Sequence, residues 1–156
     1  MAYLDLKLLH IIGATVLLGT GAGIAFFMVM AHRSKDAAVI AGVSKIVVIA
    51  DFVFTAAAVV AQPITGLMLA SVQNYPLTAS WIVASLALYV FVGLWWLPVV
   101  YFQIRIRDIA AKAVVENAPL PPDYFWYYRV WFAFGVPAFI SVMLILWLMI
   151  ARPQLW

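Results

Sequence analysis

Residues 8–31 read LLHIIGATVLLGTGAGIAFFMVMA, with one histidine and no aspartate, glutamate, lysine or arginine. This run decides the fold. A helix needs roughly 20 apolar residues to cross a hydrocarbon core, and a lone helix satisfies its own backbone hydrogen bonds there. Three more uncharged runs follow, at residues 52–72, 77–104 and 130–151, each long enough for the same crossing. The expected fold is an all-α membrane protein, an antiparallel bundle of four transmembrane helices. The helices are expected over residues 3–32, 37–72, 77–115 and 124–151, as one integral membrane domain over 1–156.

Composition agrees with that class. Charged residues make up 10% of the chain and hydrophobic ones 68%, where soluble domains carry roughly 25% charge. Without cysteine, disulfides, thiolate metal sites and Cys-linked haem are excluded. The first run is expected to be a retained helix. Its leading charge is weak, with Asp5 beside Lys7, and Met28-Val29-Met30 is no small-residue cleavage site.

Cations set the expected orientation. Arg33, Lys35 and Lys45 lie between the first two runs, and Arg105, Arg107, Lys112 and Arg129 between the last two. The leader has only Lys7 and the tail only Arg152. The positive-inside rule then places both termini outside the cytoplasmic (inner) membrane of a bacterium. The net charge of +3 collects at membrane ends, which suits an anionic leaflet and gives no case for nucleic acid. The partner this implies is the lipid bilayer, with a second copy or another membrane subunit as a further candidate.

Polar residues inside the runs carry the functional information, because such groups are costly in lipid. On the first helix, Gly13, Ala14, Gly21 and Ala25 share the face of His10. Small residues at this spacing read either as close helix packing or as room for a flat cofactor beside a ligating imidazole. His10 itself is either a hydrogen-bonded structural residue or a ligand for iron or copper. On the second helix, Asp51, Thr55, Ala58, Gln62 and Thr65 form a stripe that must face the bundle interior. Gln62 and Thr65 fall at the depth of His10 and are its expected hydrogen-bond partners. Pro63 should leave the carbonyl of Val59 free for another donor. Asp51 reads as an ion-pair partner of Lys45, Arg105, Arg107 or Arg129, or alternatively as a proton-relay or substrate group. His32, beside Arg33, reads as an ordinary interfacial histidine. It stands ~33 Å from His10 along one helix, so the two cannot serve one small site. The aromatic run Tyr124-Phe125-Trp126-Tyr127-Tyr128, with Trp131, reads as an interfacial belt.

The stretch Leu6-Lys7-Leu8-Leu9-His10-Ile11-Ile12, with His32 ending the same helix, resembles the opening of HemJ-type membrane proteins. Gln62-Pro63-Ile64-Thr65-Gly66, Gly135-Val136-Pro137-Ala138-Phe139 and Ile150-Ala151-Arg152-Pro153 fit the same pattern. The whole length resembles a family of small bacterial four-helix membrane proteins near HemJ and the CopD copper-resistance membrane domain. HemJ is a haem-b-containing protoporphyrinogen oxidase, and the resemblance implies that His10 holds its haem-ligand position. Residues 81–100 contain neither histidine nor lysine, where HemJ-type proteins carry both, so haem binding is implied more directly than that oxidoreductase reaction.

Three functions fit these residues. The first is a haem-b-binding redox or electron-transfer protein, with His10 as axial ligand, Gly13 and Gly21 beside the porphyrin, and Gln62 or Thr65 supporting the imidazole. Met68 is a candidate second ligand. The second is a copper-handling protein in which His10 and methionines such as Met68, Met143 and Met149 hold Cu(I), whose softness suits thioethers. The third is an accessory subunit that docks another membrane protein.

Overall fold

The computed structural model describes residues 3–156. The chain forms four long helices, α1 (Tyr3–Ser34), α2 (Ala37–Val72), α3 (Ser80–Val115) and α4 (Pro122–Ala151), with no strand among the described residues. Each is long and apolar enough to cross a membrane. Most large side chains on their outer faces, such as Leu4, Ile46, Leu94 and Ile150, are exposed. That is the surface a lipid-embedded bundle presents.

The turns are built from local chemistry. Asp36 caps α2 by accepting from the backbone N–H of Ala38 at 2.7 Å and Val39 at 3.3 Å, which satisfies donors that a helix start leaves open. Asn74 and Asn117 end α2 and α3 with φ of 54° and 49°. Asparagine tolerates this left-handed position better than most residues. The following amides then reach back, Tyr75 to Ala70 O at 2.9 Å and Ala118 to Ala113 O at 3.0 Å. Pro122 opens α4, where a missing amide hydrogen costs nothing.

Packing is uneven along the bundle. One half contains the α1–α2 and α3–α4 turns. There Ile24, Met28, Ala31, Ile40, Val47, Ile106, Ala110, Tyr124 and Trp131 form the core, drawing on all four helices. In the other half, which contains both termini, the final stretch of α2 packs on α1, while α3 and α4 pack on each other. Between the halves α2 widens into a π-helical turn over Asp51–Thr55, closed by the Ala56 amide bonding to Asp51 O. Single π-turns inside long helices recur at functional sites. A few residues on, Pro63 leaves Val59 O without its helical donor. The hydroxyl of Tyr89 on α3 donates to that carbonyl and ties the two helices together.

Candidate functional site

The structure separates two polar sites, one at each end of the α2 stripe. His10 lies half-buried against the last turns of α2, with its Nδ1 2.8 Å from Thr65 Oγ1. Thr65 Oγ1 also lies 2.8 Å from Ala61 O and 3.2 Å from Gln62 O, both acceptors only. A threonine hydroxyl has one hydrogen. Given to Nδ1, it would leave the Oγ1 lone pairs facing two carbonyl oxygens. Given to Ala61 O, it lets Oγ1 accept from an Nδ1–H. The second arrangement satisfies every atom, and it fixes the tautomer in which Nε2 carries a free lone pair. His10 is therefore oriented as ligating histidines are, with one nitrogen anchored and the other available.

Two glycines make this contact possible. A Cβ on Gly66 would lie 3.1 Å from His10 Cε1, so the imidazole rests directly on the α2 backbone. A Cβ on Gly13 would lie 2.2 Å from Gln62 Nε2. The buried Gln62 uses that space to donate to His10 O at 2.8 Å. Gln62 thus holds the backbone of His10 and Thr65 holds its ring. Gly13, expected beside a porphyrin, instead accommodates the Gln62 amide. Gly21 has no atom within 4 Å of its Cβ position and borders open space, three turns further along α1.

Of the methionines expected as ligands, Met68 is 44% exposed, Met143 46%, and Met149 half-buried. Among the described residues no three histidine, cysteine, aspartate or glutamate side chains gather to hold a bare ion. What the chain offers at His10 is one imidazole nitrogen.

The second site surrounds Asp51, which is 3% exposed. Trp96 Nε1 donates to Asp51 Oδ1 at 3.3 Å. The Gln103 amide bridges Asp51 to Trp131. An indole N–H can only donate, so Trp131 Nε1 turns the amide oxygen of Gln103 toward itself, at 3.3 Å. The amide nitrogen must then donate to Asp51 Oδ2, at 2.9 Å. Thr55 Oγ1 stands close enough to interact with the same carboxyl, yet it is buried and makes no hydrogen bond. The expected ion pair is absent among the described residues. Lys45, Arg105 and Arg129 are exposed, and Arg107 pairs with Asp108 at 2.7 Å. Asp51 sits near the midpoint of α2, deeper than those cations reach, and neutral donors from α3 meet it instead.

His32 also differs from the reading of an ordinary solvated histidine. Its Nδ1 is 3.0 Å from Tyr124 Oη, and its ring stacks on Tyr128 with centroids 3.6 Å apart. Tyr124 and Trp131 are buried, so the aromatic run turns partly into the core, while Phe125 and Trp126 stay exposed as a belt would. The sequence reading missed Trp96, Gln103 and Tyr89. The signal for Gln103 was present: a lone amide in an apolar run has the same standing as Gln62 on α2.

These features define an integral membrane protein of four helices whose interior holds one oriented histidine and one caged carboxyl. The chain belongs to the DUF2269 family of predicted integral membrane proteins, which it matches over residues 4–153. No curated protein and no solved structure matches it, so the comparisons give no support to the expected resemblance to HemJ and CopD proteins.

Proposed function

We propose that this protein is a haem-b-binding membrane redox or electron-transfer protein with His10 as axial ligand. The observation that carries the reading is the commitment of Thr65 to Ala61 O, which leaves Nε2 of His10 with its lone pair. A macrocycle suits a site that supplies one nitrogen, because the porphyrin brings the equatorial ligands itself. Copper handling would need several donors from the chain, and among the described residues no three histidine, cysteine, aspartate or glutamate side chains gather. When bound, haem supplies one-electron chemistry at iron. The chain's own contribution is to fix the imidazole: Thr65 accepts its Nδ1–H, Gly66 lets it lie flat, and Gln62 holds its carbonyl. Supporting hydrogen bonds of this kind strengthen a histidine ligand.

By the positive-inside rule the cation count favours the α1–α2 and α3–α4 turns in the cytoplasm and both termini outside a bacterial inner membrane. His10 then lies toward the outer side. The test is an absorption spectrum of detergent-purified protein expressed with ample haem supply, oxidised and then reduced. A Soret band with sharpened visible bands on reduction is expected. A featureless spectrum overturns the reading in favour of copper handling or an accessory role.

A further inference from the structure

We propose that Asp51, Thr55, Trp96 and Gln103 form a proton-binding site at the middle of the bundle, independent of any cofactor at His10. Trp96 and Gln103 present obligate donors to the two carboxyl oxygens, one to each, at 3.3 and 2.9 Å. The ionised carboxylate is therefore held by neutral dipoles alone. An intramembrane carboxyl without a cation is a functional feature more often than a packing one.

The same cage accepts the acid. A proton from solvent forms an O–H bond on a remaining lone pair of Asp51, and that O–H needs an acceptor. Thr55 Oγ1 is the group available: buried, beside the carboxyl, and without a hydrogen bond of its own. Its oxygen is therefore free to accept from the acid's O–H. Trp96 and Gln103 can keep their places on the two oxygens in either form.

Among the described residues no titratable side chain hydrogen-bonds or ion-pairs with Asp51. Between His10 and His32, α1 has none, and α4 has none from Val130 to its end. On α2 the nearest is Lys45, which is exposed. On α3 the hydroxyl of Tyr89 is committed to Val59 O, while Tyr101 and Arg105 are exposed. Asp51 and Thr55 are the first and last residues of the π-helical turn, so the carboxyl and the hydroxyl bracket the backbone irregularity.

The experiment is pH-step difference infrared spectroscopy on the full chain in lipid nanodiscs. The expected result is a protonated-carboxyl carbonyl band that rises and falls with pH and is lost in Asp51→Asn. It should persist in Asp108→Asn. In Thr55→Val, which leaves the carboxyl in place, the band should shift to higher frequency because its hydrogen-bond acceptor is gone. This second variant keeps the test decisive if Asp51→Asn fails to fold. The proposal is overturned by the absence of any titrating band, by a band that survives Asp51→Asn, or by one unmoved in Thr55→Val. A band that follows exchange of sodium for choline at constant pH also overturns it, assigning the cage to a metal cation.

Discussion

Thr65 has one hydrogen to give, and the carbonyl of Ala61 takes it, so the imidazole of His10 must donate from Nδ1. Thr65→Val removes the acceptor while keeping the shape of the side chain. The expected effect is a ~10–100-fold loss of haem affinity, the usual scale for losing a group that orients a ligand, read from haem retained per protein on dilution. The glycines supply a paired test. Gly13→Ala puts a methyl group 2.2 Å from Gln62 Nε2, and overpacking of this kind costs ~1–3 kcal/mol. Gly21→Ala meets nothing within 4 Å and should leave the thermal midpoint in detergent unchanged. Equal midpoints for the two variants would contradict the geometry. The partnership of His10 with Thr65 and Gln62 was legible because both elements carry polar residues at helical spacing and equal depth. The surroundings of Asp51 were not. A carboxyl near basic loops suggests an ion pair, and although Gln103 stands out as a lone amide in the apolar run of α3, periodicity does not tell which face of α3 meets α2.

At the scale of elements, α2 concentrates the irregularity. It holds the π-helical turn at Asp51–Thr55 and the proline at residue 63. The consequence of Pro63 could be read from the sequence, since proline always frees the carbonyl four residues earlier. The donor that answers it could not, because Tyr89 is one of several tyrosines in the chain. Tyr89→Phe should strand Val59 O and destabilise the protein by ~1–3 kcal/mol, the cost of an unsatisfied buried acceptor. In a Pro63→Ala background the restored amide hydrogen reaches Val59 O, and Tyr89→Phe should cost much less there. Unfolding midpoints of the two single variants and the double variant measure this coupling. Strict additivity would mean that the hydroxyl is not serving the carbonyl freed by proline.

Across the whole molecule, the four runs made the helical membrane fold legible, because length and apolarity are sufficient for it. The division of labour between the halves was hidden. Buried core gathers around the α1–α2 and α3–α4 turns, while His10 sits on the α1–α2 arm near the termini. Reporter fusions should place both termini outside the cytoplasm, as seven cations on the turn side against two on the other require. Cytoplasmic termini would invert the assignment of His10 to the outer side. Position along α1 also separates its two histidines, ~33 Å apart at the helical rise per residue. Each ring is held at Nδ1, His10 by Thr65 and His32 by Tyr124, but His32 is also stacked face to face on Tyr128, whereas His10 rests on the backbone at Gly66. The most direct measurement of the central claim is the haem-to-protein ratio of purified wild type, His10→Ala and His32→Ala, each first shown to be folded. His10→Ala is expected to lose its haem and His32→Ala to retain it. Full haem content in His10→Ala, or loss in His32→Ala alone, would contradict it.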